Sequence, residues 1–298
     1  MNRFSFEQLQ SLYDYDSKLS LDVKDVTIEK ENDIVLHDVE FNSPKGGRVT
    51  AYLVTPVEKS KNAGIVFGHW GYGTRTEFLP EAKLYAKAGA VSILVDYPWV
   101  RPSPWRKALS YQPDEDRRIF IQAVVDLRRS IDFLCTLESV DVNQIAYVGH
   151  SHGAQWGAIL AAIDRRIKTV VLIGGVPAQA DIYLESDDPD IVRFRNSMPK
   201  ENLEKYLETT EIVDAIHYIG NVAPTPILFQ FAKYERYFGE KSMRRYFEAA
   251  SEPKSVKWYS TGHELNDIQT LLDRADWLQK HVGIRPIDFA NCLQRRLH

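Results

Sequence analysis

Ile145-Ala146-Tyr147-Val148-Gly149-His150-Ser151-His152-Gly153-Ala154 is the stretch whose reading decides the fold of this 298-residue chain. Four apolar residues give the pattern of a buried strand, and Ala154 to Ile163, with Gly157, Ala158, Ala161 and Ala162, reads as a helix with small residues on its packed face. Between them two glycines bracket one serine. A strand that turns straight into a helix forces Ser151 into a strained backbone conformation and leaves no room for a side chain two residues to either side. Chance alone would place this five-letter pattern in roughly one chain in twenty, so the strand and helix around it carry the weight.

Further Val/Ile-rich runs, mostly separated by helical patterns, argue for crossover connections and a mainly parallel sheet. Eight strands are expected: Asp33 to Ser43, Arg48 to Thr55, Ala63 to Gly68, Ala90 to Asp96, Gln144 to Gly149, Lys168 to Gly174, Thr225 to Phe231 and Lys254 to Tyr259. The first two flank Pro44-Lys45-Gly46-Gly47, too short for a helical crossover, and should be antiparallel neighbours. The longest helix, Asp114 to Leu137, puts Phe120, Val124, Leu127, Ile131 and Leu134 on one face, expected to lie on the sheet. The first twenty residues, with Phe4, Phe6, Leu9 and Leu12, read as a docking helix.

About fifty residues separate Gly174 from Thr225, more than one crossover needs. They read as a helical cap insertion over 178–222 within a single domain spanning 1–298, with Asp188 to Ser197 and Glu201 to Tyr218 helical and Asp190, Glu201, Glu204 and Glu208 outward.

Composition narrows the function. A net charge of -4 offers no basic field for a phosphate backbone, which argues against nucleic acid as a partner. No stretch approaches the roughly 18 apolar residues of a membrane span and the chain opens without an apolar leader, so no membrane partner is expected and the expected location is cytoplasmic. Cys135, in a helix, and Cys292, near the end, suggest neither a disulfide framework nor a metal site. The eight histidines lack metal-binding spacing, and no Gly-rich phosphate loop follows a strand, so no cofactor and no metal is expected.

From Asp33 to Lys280 the chain resembles the α/β-hydrolase superfamily, on the strand order, the Ser151 turn, the loop Gly68-His69-Trp70-Gly71-Tyr72-Gly73, and Thr261-Gly262-His263-Glu264 after the last strand. It looks most like the esterase and dienelactone-hydrolase-like branch, with serine where dienelactone hydrolases carry cysteine. The resemblance implies an α/β-hydrolase fold and a nucleophile, acid and histidine in that chain order. Ser151 is then the nucleophile and His263 the general base. Glu235 is the carboxylate of the loop after the seventh expected strand and the candidate acid, with Asp96 and Asp181 in reserve. The oxyanion donors it implies are the amides of His152 and Gly71, or Trp70 if the loop aligns one residue earlier. His69 and His150 read as structural.

Tyr97 to Arg106 leaves the sheet at the same edge as Ser151, so Trp99, Arg101 and Trp105 are candidates for lining a pocket. The expectation is a serine hydrolase that cleaves a small ester, thioester or amide through an acyl-Ser151 intermediate, with a small-molecule acyl substrate and a homo-oligomeric state possible. The alternatives are a non-catalytic small-ligand receptor on the same fold, or a serine peptidase or acyltransferase.

Overall fold

The computed structural model describes residues 4–58 and 60–287, so Cys292 lies outside the described residues. One nine-stranded sheet organises the chain: β1 (Lys24–Lys30), β2 (Ile34–Asn42), β3 (Arg48–Pro56), β4 (Asn62–Gly68), β5 (Ala90–Val95), β6 (Val140–His150), β7 (Ile167–Ile173), β8 (Ile227–Tyr234) and β9 (Lys254–Gly262). Their lateral order is β1-β2-β3-β5-β4-β6-β7-β8-β9. The first three are antiparallel to their neighbours, and every pair from β5 to β9 is parallel.

All eight expected strands are present, but their number is corrected to nine by β1. Every residue of β1 is exposed, Val26 and Ile28 included, and its sequence offers only a short alternation with two apolar residues, which buries neither face. Its place is fixed by pairing with β2 alone, through a register shift between Thr27 and Glu29.

The helices are α1 (Phe6–Ser11), α2 (Leu79–Lys87), α3 (Pro113–Thr136), α4 (His152–Ile163), α5 (Gln179–Tyr183), α6 (Pro189–Ser197), α7 (Lys200–Thr210), α8 (Glu240–Ala249) and α9 (Ile268–Val282). The docking helix at the N-terminus is a short one, capped by a reciprocal pair of bonds between Ser5 and Gln8 and buried through Leu9. In α3, a proline in the first turn and Asp114, Glu115 and Asp116 behind it favour helix initiation. Its expected face, Phe120, Val124, Leu127, Ile131 and Leu134, is buried. Strand β6 separates two cores: Ile145 and Tyr147 face the one containing α3 and α4, while Ala146 and Val148 face the one containing α2 and α9. Both faces of that strand are covered, which is why it is apolar throughout. Among the described residues no helix is long and apolar enough to cross a membrane.

The segment between β7 and β8 holds α5, α6 and α7, followed by three single 3-10 turns at Glu211–Val213, Ala215–His217 and Ile219–Asn221. The helix expected to run to Tyr218 therefore ends at Thr210. There Thr209 and Thr210 turn their hydroxyls back onto the Lys205 and Tyr206 carbonyls, a bonding habit that weakens a helix end. The segment is tied to the body by the Tyr206 hydroxyl, which donates to buried Asp116 (3.1 Å), and by Asp181, which pairs with Arg245 (2.6 Å) and accepts from Ser242 (2.9 Å).

The sheet edge that matters lies where the chain steps from β5, on one side of β4, to β6 on the other. In open parallel sheets such a switch point leaves a crevice beyond the strand ends. The backbones there nearly touch: a methyl group on Gly153 would lie 2.1 Å from the Gly68 carbonyl oxygen, and one on Gly149 2.4 Å from the Gly153 oxygen. Neither neighbour is a side chain that could move aside. Gly153→Ala is accordingly expected to destabilise the fold by more than about 3 kcal/mol, beyond the usual range for overpacking, as read from urea unfolding. A variant within about 1 kcal/mol of wild type would contradict this account of the turn.

Candidate active site

Ser151 sits between β6 and α4 with φ 56° and ψ -113°, a positive-φ conformation that a residue with a side chain rarely adopts, in a tight turn that leaves room only for glycine two residues to either side. Such a conformation costs about 1–3 kcal/mol and persists only where the surroundings hold it. Here the Ser151 amide donates to the Ile173 carbonyl at 2.7 Å and its carbonyl accepts from the Ala154 amide at 2.9 Å. The next two amides, of His152 and Gly153, belong to the first turn of α4 and have no partner inside the helix.

His263, in the loop after β9, is buried. Its Nδ1 donates to Glu235 Oε2 at 2.7 Å, so Nε2 is the acceptor nitrogen of the neutral ring. That Nε2 is buried and, among the described residues, without a hydrogen-bond partner. The ring lies over Gly174, where a methyl group would stand 3.4 Å from its Cε1, and Gly174 follows the residue that holds the Ser151 amide. Tyr237 packs edge-on against the imidazole at 4.7 Å.

Glu235 follows β8 directly. Its Oε1 accepts from the backbone amides of Arg236 (2.9 Å) and Tyr237 (3.0 Å), and its side chain is almost wholly buried against His263. The reserve carboxylates are committed elsewhere. Asp96 accepts from the Thr50 hydroxyl and the Arg75 amide, and Asp181 anchors α5 to α8.

The loop after β4 separates the two candidate amides. The Trp70 amide donates to Glu77 Oε2 at 2.8 Å, so Trp70 is corrected as an oxyanion donor: its N–H is already taken. The Trp70 carbonyl is held from the other side by His69 Nδ1 (2.5 Å) and the Gly73 amide (3.0 Å). In a trans peptide the N–H points opposite to the C=O, so the Gly71 amide is turned away from His69. Among the described residues it has no hydrogen-bond partner. A methyl group on Gly71 would lie 2.9 Å from His152 Nδ1, which puts this loop against the residue after Ser151.

The histidines around the turn differ in role. His69 Nε2 accepts from the Tyr97 amide at 3.2 Å, and burial pushes its imidazole down, consistent with a neutral ring protonated on Nδ1. Loss of hydration pushes His152 down to about 4, with nearby His69 and His263 adding to the push. His150 bridges Glu77 Oε1 (2.6 Å) and the His263 carbonyl oxygen (2.9 Å).

The aromatic loop after β5 divides. Trp99 donates from its indole to the Gly71 carbonyl at 2.7 Å and so braces the loop after β4. Arg101 is corrected as a pocket residue: it is 1% exposed, paired with Asp126 at 2.6 Å and bonded to the Asp96 carbonyl. Trp105 packs on the β2–β3 turn, 3.3 Å from where Gly47 would carry a methyl group. Sequence reasoning missed Glu77 and the Trp99 contact, because neither belongs to a pattern of local spacing. Among the described residues no cluster of three His, Cys, Asp or Glu could hold a metal ion.

This architecture is the α/β-hydrolase fold, and the resemblance read from the sequence is borne out in fold. Comparison with solved structures gives the same answer and the particular relatives. Acetyl xylan esterase from Paenibacillus sp. R4 superposes with a TM-score of 0.76 at 17% identity over 93% of each chain. Acetyl xylan esterase 1 from Thermoanaerobacterium sp. JW/SL YS485 gives 0.73 at 15% identity over 92% of each, and the α/β hydrolase GrgF from Penicillium sp. sh18 gives 0.64 at 17% over 84% of this chain and 99% of that one. Residues 2–98 match the model of the acetyl xylan esterase family. That stretch holds Gly71 but ends before Ser151, Glu235 and His263. No curated protein matches the chain.

Proposed function

We propose that this α/β hydrolase is a serine-dependent carboxylic ester hydrolase. Ser151 Oγ attacks the acyl carbon and its proton passes to His263 Nε2. The tetrahedral oxyanion is met by the amides of His152 and Gly71. As the bond to the alcohol breaks, His263 returns the proton to the leaving oxygen, and the acyl group stays on Ser151. Water then repeats the sequence and releases the acid. Glu235 holds the His263 tautomer and stabilises the imidazolium that forms. The observation that carries the reading is the buried Glu235–His263 pair at 2.7 Å, with Nε2 left unpartnered beside the strained Ser151 turn. The match to the acetyl xylan esterase family and the esterases among the structural neighbours support it.

The test is incubation with a fluorophosphonate, with mass spectrometry of the labelled peptide, followed by a panel of 4-nitrophenyl esters from acetyl upward. Labelling at Ser151 with turnover of the panel is expected. Labelling elsewhere, or none at all with no turnover, would leave a receptor on a hydrolase fold.

The segment 178–222 is proposed to wall the acyl or alcohol side of this site. Phe194 packs at a tilt against Tyr111 at 4.5 Å and Tyr183 at 5.4 Å between ring centres. Burial raises the pKa of both tyrosine hydroxyls, and Tyr72, the residue after Gly71, adds to the shift. Tyr111 itself has φ 57°, held by Asp116, which accepts from the Ser110 and Tyr111 amides. Phe194→Ala, or Met198→Ala, is expected to change relative kcat/KM across the ester panel by about tenfold, the value of a methylene or two in an apolar pocket. A change confined to Tm, with the panel ratios untouched, would make the segment packing only.

A further inference from the structure

Glu77 lies in the loop between β4 and α2 that also carries Gly71, and it takes no part in the chemistry above. Its two carboxylate oxygens nonetheless serve two of the loops that build the site. Oε2 accepts the Trp70 amide at 2.8 Å, and Oε1 meets His150 Nδ1 at 2.6 Å. His150 carries the connection to the third loop, since its Nε2 lies 2.9 Å from the His263 carbonyl oxygen. One carboxylate and one imidazole thus join the loop after β4, the turn after β6 and the loop after β9. Gly73 leaves the space for this: a methyl group there would stand 2.8 Å from Glu77 Oε2.

From this connectivity we infer that Glu77 and His150 form a positioning clamp, which sets the Gly71 amide and His263 relative to Ser151 without touching substrate. The inference rests on the ester-hydrolase reading above. The Trp70 amide is held by Glu77 and the Trp70 carbonyl by His69, so two successive peptide planes are fixed and the Gly71 N–H has one direction. On the far side, His150 holds the backbone of His263 while Glu235 holds its ring. Both partners of His150 are acceptors, so holding both takes a proton on each ring nitrogen. Glutamine at position 77 could keep the same contacts differently, with its oxygen on the Trp70 amide and its NH₂ donating to a His150 Nδ1 that has given up its proton. Alanine could keep none.

The experiment compares Glu77→Ala and Glu77→Gln with wild type on 4-nitrophenyl acetate, beside Tm and the rate of fluorophosphonate labelling at Ser151. For Glu77→Ala we expect kcat to fall about thirty- to a hundredfold with KM within threefold. A donor or base displaced by about an ångström costs this order of rate and not ground-state binding. Glu77→Gln should recover at least a third of wild-type kcat. The inference is overturned if Glu77→Ala keeps kcat within threefold, or if Glu77→Gln is as impaired as Glu77→Ala. If Glu77→Ala does not fold, Glu77→Asp, one methylene short, decides: lowered kcat with KM unchanged supports the clamp, and wild-type kcat overturns it. Failure of the underlying reading looks different, because wild type would then be unlabelled at Ser151 and Ser151→Ala as active as wild type.

Discussion

Ser151→Ala is expected to fold normally and to lose at least four orders of magnitude in kcat on 4-nitrophenyl acetate. The substitution removes one oxygen from a half-buried turn, and alanine carries the same Cβ through the same φ of 56°, so stability should change little. Loss of a true nucleophile leaves only what the oxyanion donors and binding supply, with a cost on the order of 10⁴–10⁶ in kcat. His263→Ala should be comparably severe. Since the two residues act as one unit, the double variant should be no worse than either single one. A Ser151→Ala enzyme that retained more than about a hundredth of wild-type kcat would end the acyl-Ser151 mechanism.

Glu235→Gln should lower kcat by at least a hundredfold while the chain stays folded, and the hydrogen bonds say why. Glu235 Oε1 accepts two backbone amides, from Arg236 and Tyr237, and only an oxygen can stay there. The glutamine NH₂ is therefore turned toward His263 Nδ1, where it can only donate. That moves the ring proton to Nε2, and a protonated Nε2 cannot take the proton of Ser151. The equivalent change of tautomer in a serine protease costs about 10⁴ in kcat. The check is kcat on the same ester, with Asp96→Asn and Asp181→Asn as controls. A near-wild-type Glu235→Gln beside a crippled control would mean that the acid has been misplaced.

What the sequence made legible follows from how local each constraint is. The Ser151 turn was readable because the contact that excludes a side chain at 149, the Gly153 carbonyl, lies within five residues, although the one at 153 is set by distant Gly68. The parallel strands were readable because burial on both faces writes itself as a continuous apolar run. Glu235 was readable as the carboxylate of the loop after β8, although its contact with His263 spans 28 residues. By contrast, Arg101 looked like a pocket residue because a charge in an aromatic loop at a strand end suggests a ligand. The group that neutralises it, Asp126, lies a loop and more than three helical turns away in α3. Glu77 was invisible for the same reason, its partners being 7 and 73 residues distant. The choice between Trp70 and Gly71 turned on the direction of one peptide plane, and side-chain identity does not encode that.

The exposed first strand bears on how this protein behaves in a crowded solution. Among the described residues β1 pairs only with β2, which leaves a row of amides and carbonyls along its outer side with Val26 and Ile28 exposed, the arrangement that lets one sheet recruit another. Two features of the strand oppose that. The register shift between Thr27 and Glu29 breaks the straight ladder a foreign strand would need, and Lys24, Asp25, Glu29 and Lys30 surround the two apolar residues with charge. Protection of this edge thus rests on a few positions at the far side of the sheet from Ser151, and straightening or discharging β1 is expected to raise self-association, read by light scattering, while leaving kcat unchanged.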